Sequence, residues 1–174
     1  MKKLMLMTAF AVFGLSNVNA QDEHDHGPIQ KGKWLIEINT GSYATGSTAF
    51  SLASSDGETQ WSVGAEGGYF VMDNLALKAG FGYQDYGSGD LTSFAYKIGA
   101  KYYIADKFPV GVDFTGVSYS EGNIKDPSYV GVEGGYAWFI SPKVSIEPKV
   151  RYNISTNDTY DDAFQALIGF AIHL

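Results

Sequence analysis

The chain has 174 residues, with 19 Asp and Glu against 12 Lys and Arg, a formal net charge of −7, and no Cys. The absence of Cys excludes structural disulfides, cysteine-ligated zinc, thiol catalysis and a lipid attached to an N-terminal Cys. The acidic balance argues against nucleic-acid binding, because the phosphate backbone is itself negative. Aromatic residues make up 15% of the chain and there are 21 Gly, a mixture that favours strands and tight turns over helices.

The first 20 residues predict a cleaved secretory signal peptide. Lys2 and Lys3 precede an apolar run over 4–15 that is too short to cross a membrane as a helix, and Ala20 supplies a small residue at the cleavage site. Removing the two lysines leaves 10 of the 12 basic residues against 19 acidic ones, a net charge of −9. Residues 21–32 are polar and predict a periplasmic N-terminal linker, and 33–174 predict the folded domain.

Much of the remaining chain alternates apolar and polar residues with a period of two, which indicates strands with two unlike faces. The clearest example is 61–84, where two such strands flank the turn residues Met72, Asp73 and Asn74. A stretch rich in Ser, Thr and Gly over 44–59 predicts a loop. The eight predicted strands lie at 33–43, 61–71, 75–84, 92–104, 109–119, 129–140, 143–154 and 163–174.

The connections alternate in length, which predicts how the strands are arranged. Those after the second, fourth and sixth strands are tight, and those after the first, third, fifth and seventh are longer and polar. Short periplasmic turns and longer outer loops are typical of outer-membrane barrels. The sequence therefore predicts an all-β, eight-stranded antiparallel up-and-down transmembrane β-barrel with both termini on the periplasmic side. Pro148 falls in the middle of the seventh strand, where it cannot donate to the ladder, and predicts either a β-bulge there or a strand that is locally misassigned.

The polar face of the strands carries five acids and five bases, which we predict to line the lumen as a charge-paired plug. Charges inside a narrow barrel have to balance, because an unpaired buried charge is costly. Glycines on the same face, such as Gly80, Gly99 and Gly131, leave room for water and favour a narrow channel instead. The predicted lumen charges are Glu37, Glu66, Lys78, Lys97, Lys101, Asp113, Glu133, Glu147, Lys149 and Arg151.

Aromatic residues near both ends of the apolar face distinguish a membrane barrel from its alternative, a soluble β-sandwich or calyx with a solvated polar face. Trp61 and Tyr69 are eight residues apart, as are Phe94 and Tyr102. Eight residues of tilted strand span about 19 Å of the bilayer normal, which suits aromatic girdles at two interfaces. The predicted interfacial aromatics are Trp34, Trp61, Tyr69, Phe94, Tyr102 and Trp138.

Several stretches resemble the small eight-stranded outer-membrane β-barrel family, the group around the OmpX- and OmpA-type barrels of Gram-negative bacteria. They are GGYFVMDNLALKAGFGY at 67–83, IGAKYYIADKFPVGVDF at 98–114 and GGYAWFISPKVSIEPKVRY at 134–152. The C-terminus is similar to the assembly signal of the family at Gly169, Phe170, Ile172 and Leu174. It departs from that signal at Leu167, where a polar residue is usual, and at Leu174, where an aromatic residue is usual. The resemblance implies location in the outer membrane, insertion by the outer-membrane assembly machinery and no shared catalytic residues.

The residues offer no catalytic, cofactor or metal site. The three His are His24 and His26 in the N-terminal tail and His173 next to the C-terminus, so none reaches the outer rim, where barrel enzymes hold a catalytic base. The tail sequence DEHDH at 22–26 would bind a metal only weakly, because a flexible segment imposes no geometry. We therefore predict a protein that is not an enzyme and needs no cofactor.

The predicted outer loops carry nine acids and one base, Lys125. Their acidity indicates either simple solubility and turn formation or attraction of divalent cations, lipopolysaccharide or a basic partner. We predict outer-membrane lipid and lipopolysaccharide as the surroundings of the barrel and a structural or surface-interaction role, with a narrow porin-like channel as the alternative. The loop acids are Asp56, Glu58, Asp85, Asp90, Glu121, Asp126, Asp158, Asp161 and Asp162.

Overall fold

The computed structural model of the protein describes residues 27–40, 50–55, 58–87, 91–120 and 124–174. The predicted signal peptide over 1–20, the adjoining residues 21–26 and the end of the first predicted strand, 41–43, lie outside the described residues. The strands, in chain order, are β1 (Trp34–Asn39), β2 (Ser51–Ser55), β3 (Glu58–Met72), β4 (Leu75–Asp85), β5 (Thr92–Ile104), β6 (Phe108–Tyr119), β7 (Ser128–Gly135), β8 (Trp138–Ser141), β9 (Val144–Ser155) and β10 (Ala163–His173).

The strands form one closed antiparallel barrel with eight positions around its wall. β1 pairs with β3 on one side and with β10 on the other, so that Leu35 faces both Gly68 and His173. The other neighbours follow in the order β3, β4, β5, β6, β7, β9 and β10. β2 pairs with the same edge of β3 as β1 does, because β4 occupies the other edge. Similarly, β8 pairs with the start of β9 and β7 pairs with its end. β1 with β2 and β7 with β8 each fill one position, which confirms the predicted eight-stranded up-and-down fold.

Tight turns join the strands at one end of the barrel, which we call the short-turn end. Asp73 and Asn74 connect β3 to β4, with Asn74 at φ 67°, and Ala105 and Asp106 lie in the next turn at φ 47° and 63°. Positive φ at these positions suits hairpin turns that follow the right-handed twist of the strands. The strand ends that the longer connections join lie at the opposite end, which we call the loop end.

The predicted loop over 44–59 is wrong in its second half. Ser51–Ser55 forms β2, and β3 begins at Glu58 rather than at residue 61. The described side chains over 51–54 and 58–60 are exposed, so neither face of this part of the hairpin needs apolar residues and no alternation marks it. The hairpin extends the wall of the barrel beyond the apolar band.

Pro148 lies within β9 as predicted, but the β-bulge expected there does not form. Gly135 faces Lys149 and Trp138 faces Ile146, so the register is the same on both sides of the proline. The Tyr136 N–H donates to the Pro148 carbonyl at 3.1 Å, and the proline has no N–H to return. The neighbouring strand therefore breaks into β7 and β8.

The barrel is inverted relative to a soluble one. Large apolar side chains such as Ile98, Phe164 and Val132 point outward and are exposed, while Glu37, Lys101 and other charged side chains are buried inside. Within the described ranges, no helix is long and apolar enough to span a membrane. The interior is consequently the chemically distinctive part of the fold.

Candidate functional site

Period-two alternation carries one charged side chain after another into the interior. The contributions are Glu37 from β1, Glu66 from β3, Lys78 from β4, Lys97 and Lys101 from β5, Asp113 from β6, Glu133 from β7, and Glu147, Lys149 and Arg151 from β9. Nine of these ten are buried, and the side chain of Asp113 is 9% exposed. The structure thus brings together all ten residues that the sequence proposed.

Glu37 is the centre of this interior network. Its Oε2 accepts hydrogen bonds from Lys78 Nζ at 2.8 Å and from Lys101 Nζ at 3.0 Å, and its Oε1 accepts one from Lys149 Nζ. The side chain itself has no exposed surface. One carboxylate therefore holds three ammonium groups that come from three different strands.

Two further carboxylates extend the network from Glu37. Glu66 binds Lys78 at 2.9 Å and Lys97 at 2.7 Å. Glu147 binds Lys101 and also accepts from Tyr103 Oη at 2.8 Å. Lys78 links Glu66 to Glu37, and Lys101 links Glu147 to Glu37. Removing one side chain therefore alters the ion pairs of its neighbours.

The end of the network nearer the loops is built around Arg151. Its guanidinium donates to both carboxylate oxygens of Asp113, at 2.5 Å and 2.6 Å, a bidentate arrangement that fixes both planes. Glu133 lies 3.4 Å from Arg151 and 3.4 Å from Lys149, which joins this end to Glu37. Ion pairs therefore connect all ten residues, and five acids against five bases leave no formal charge.

The inward glycines accommodate these long side chains. A Cβ added at Gly131 would overlap the Arg151 guanidinium, and one at Gly80 would lie 2.7 Å from Glu66 Cγ. At Gly111 the nearest atom is Glu133 Cγ at 3.0 Å. The expectation that such glycines leave room for water is wrong at these positions, because charged side chains occupy the space.

The short-turn end of the interior is apolar and closed by the segment 27–33, which we call the N-terminal segment. Ile29, at 4% exposed, is buried in a cluster with Phe70 and Tyr103, against which Phe139 packs. The Asn74 N–H donates to the Ile29 carbonyl at 2.8 Å. Sequence reasoning missed this contact, and a single apolar residue after Pro28 in a polar stretch was the only signal.

The six predicted interfacial aromatics lie on the outer surface at the two ends of the apolar band. Trp34 and Tyr69 contact each other at the short-turn end, with ring centroids 5.0 Å apart. Trp61 lies at the loop end, 5.3 Å from the ring of Tyr83. Strand positions place Tyr102 and Trp138 at the short-turn end and Phe94 at the loop end.

The residues of the predicted assembly signal close the barrel. Gly169 faces the interior, where an added Cβ would lie 2.6 Å from Asn39 Oδ1, while Phe170 points outward. The Leu174 N–H donates to the Trp34 carbonyl at 2.8 Å, and the Trp34 N–H donates back at 2.9 Å. Ile172 pairs with Ile36 in β1.

Several loop acids hold the backbone of their own loops. Asp126 Oδ1 accepts from the Tyr119 N–H at 3.0 Å, and Asp162 Oδ1 accepts from the Ser155 N–H at 2.8 Å. Asp85 accepts from the Gly87 N–H at 2.9 Å. These contacts favour turn formation as the reason for those acids. Asp56, Asp90 and Glu121 lie outside the described residues, as do His24 and His26.

Comparison with known proteins finds likeness only in fold. No family model matches the chain, and no curated protein matches it. Neisserial surface protein A is 16% identical over 83% of this chain and 98% of its own, with a TM-score of 0.49. The Yersinia pestis outer membrane protein Ail is 12% identical over 83% and 100%, with a TM-score of 0.47. The N-terminal β-barrel domain of Pseudomonas aeruginosa OprF is 12% identical over 83% and 98%, with a TM-score of 0.44.

Proposed function

We propose that the chain is an integral protein of the cell outer membrane. Its outer wall exposes large apolar side chains, such as Ile98 at 60% and Phe164 at 69%. In water such a surface promotes association, whereas acyl chains solvate it in a bilayer. The pairing of β1 with both β3 and β10 closes the ladder around the barrel, and the wall shields the interior charges.

Within that membrane we propose a structural or surface-interaction role for a barrel that does not conduct. The observation that carries this proposal is the ten-residue ion-pair network across the interior. An eight-stranded barrel is only wide enough for its own side chains. Here Arg151, Lys149 and Glu37 extend into that space, and Ile29 closes the short-turn end.

The loop end suits a role in presenting a surface. The connection after β6 and the connection after β9 are bonded to each other, since Lys125 Nζ donates to Thr159 Oγ1 at 3.0 Å and Tyr160 Oη donates to the Lys125 carbonyl at 2.5 Å. The Thr156 N–H also donates to the Ser128 carbonyl at 2.9 Å. We propose that these braced acidic loops face lipopolysaccharide, and that the outer-membrane assembly machinery inserts the barrel.

Planar-bilayer conductance of the refolded protein tests the closed interior. We expect no steady single-channel current from the wild type. Arg151→Ala removes the largest side chain of the network and should produce a small leak, whereas Glu58→Ala, on the exposed start of β3, should leave the bilayer silent. A steady current through the wild-type barrel would overturn the closed interior and support the narrow porin-like channel instead.

The membrane location has a separate test. Closed barrels resist detergent until heated, so boiled and unboiled samples should migrate differently on a gel. Cell fractionation should recover the protein with outer-membrane lipid. Recovery in the soluble periplasmic fraction would contradict the location without bearing on the closed interior.

A further inference from the structure

One imidazole at the short-turn end lies outside the ion-pair network. His173 is 1% exposed and is surrounded by aromatic rings. Its ring centroid is 5.2 Å from that of Phe139, 6.0 Å from Tyr103 and 6.2 Å from Phe70. Phe70 and Tyr103 belong to the cluster in which Ile29 is buried, and Phe139 packs against it. The N-terminal segment and His173 therefore share one apolar environment.

The hydrogen bonds of Ser145 determine the tautomer of this imidazole. Ser145 Oγ donates its single proton to Glu147 Oε1 at 3.1 Å, so it accepts from His173 Nε2–H at 3.2 Å. Nδ1 of His173 is then a bare acceptor, and it has no hydrogen-bond partner in the described part of the chain. A second proton on the ring would place an N–H and a positive charge among aromatic rings.

Among the described residues, the charged groups around His173 leave no free counter-ion for that charge. Those acting on it are Glu147 from β9, Lys101 from β5 and Glu37 from β1. Glu147 already accepts from Lys101, Tyr103 and Ser145, and Glu37 already holds three lysines. Lys101 repels a second positive charge. A buried charge without a free partner is costly, and exposure to water relieves that cost.

The element that is easiest to displace from this environment is the N-terminal segment. It is held by Ile29 and by a few backbone bonds, among them Gly32 N–H to the Phe70 carbonyl at 2.8 Å and Lys31 N–H to Asp73 Oδ1 at 2.9 Å. The rings of Phe70, Tyr103 and Phe139 are fixed in the barrel wall. Release of Ile29 is therefore the smallest rearrangement that opens the cluster to water.

We propose that the N-terminal segment is an acid-released cap, which protonation of His173 displaces from the short-turn end. The neutral imidazole is compatible with the closed cluster, and the protonated one favours the open state, in which water reaches Nδ1. Raising the pH closes the cap again. This device does not depend on whether the barrel conducts.

The chain contains no Cys, so single-cysteine labelling tests the cap directly. Ile29→Cys reports opening, and Lys31→Cys, at an exposed position, corrects for the reactivity of the thiol at each pH. Between about pH 7.5 and about pH 5, a range that brackets the ordinary imidazole pKa of about 6.5, we expect the corrected labelling rate to rise about tenfold. His173→Phe keeps a ring in the cluster and should abolish the rise.

A corrected rate that does not change with pH would overturn the proposal, and so would an equal rise in His173→Phe. Amide exchange in the protein without any Cys gives a second measurement. Protection of the Gly32 and Asn74 amides, relative to their intrinsic rates, should fall in acid while that of the Phe114 amide in β6 does not. If His173→Phe fails to give a heat-modifiable barrel, His173→Gln takes its place in both assays.

Discussion

Replacing Glu37 with Gln should be the most destabilising single change among the interior carboxylates. The side chain is fully buried and holds Lys78, Lys101 and Lys149. Gln keeps the volume of the residue and removes its charge, so three ammonium groups lose their shared partner. Removing one partner of a buried ion pair costs about 3–5 kcal/mol, and we expect the free energy of unfolding to fall by that amount.

The remaining contacts predict where the cost arises. Lys78 keeps Glu66 at 2.9 Å and Lys101 keeps Glu147, whereas the one acid left to Lys149 among the described residues is Glu133 at 3.4 Å. A second change, Lys149→Met, removes the charge that is left without a close partner. The double variant should therefore recover part of the stability lost by Glu37→Gln alone, as coupled neighbours do.

Urea unfolding of the barrel in lipid vesicles, followed by tryptophan fluorescence, measures these differences. Glu58→Gln is the matched control, because the same chemical change falls on an exposed side chain and should stay within about 0.5 kcal/mol of the wild type. If the free energy of unfolding of Glu37→Gln lies within about 1 kcal/mol of that of the control, breaking these ion pairs does not carry the cost that breaking a buried ion pair normally carries. The interior network would then not stabilise the barrel.

Three further outcomes follow from the wall and the N-terminus. Gly99→Ala should lower the free energy of unfolding by about 1–3 kcal/mol, because its Cβ would overlap the Val112 carbonyl oxygen. Gly67→Ala is the control and should be neutral or stabilising, because a Cβ at Gly67 has no atom within 4 Å. Equal effects of the two changes in urea unfolding would contradict the packing. Ile98→Lys on the outer face should cost about 2–4 kcal/mol in a bilayer, and an Ile98→Val control should cost far less; no loss would place that face in water. Mass spectrometry of the mature protein should find Gln21 at its N-terminus, and an intact Met1 would refute the predicted cleavage.

The sequence predicted the faces of the strands because side-chain direction in a strand depends only on parity. Once the aromatic ends of the apolar face assign that face to lipid, the alternation directs Glu66, Lys78 and Arg151 inward. The hairpin of β2 with the start of β3 escaped this reasoning, because it is exposed on both faces and carries no alternation. A strand can be recognised from the sequence when one face is apolar and the other polar, because only then do its residues alternate.

Two features of the interior depend on distances that no pattern contains. In the sequence, Gly131 indicates only the absence of a side chain. The structure shows that the Arg151 guanidinium occupies the space that this absence leaves. Ile29 is a single apolar residue without periodicity, so composition assigned it to a linker although it is buried beneath the barrel. Such contacts are set by tertiary packing of specific side chains, which local propensity does not determine.

The paired backbone bonds between Trp34 and Leu174 have a consequence for the order of assembly. Hairpins such as β3 with β4 and β5 with β6 join neighbouring segments and close quickly, whereas this contact joins residues at opposite ends of the folded domain. Until the last strand reaches β1, the sheet is an open ribbon with two unpaired edges. Those edges can pair with other chains, so the period before closure is when the protein is most exposed to aggregation. Loss of the last few residues would prolong that open state, even though every hairpin could still form.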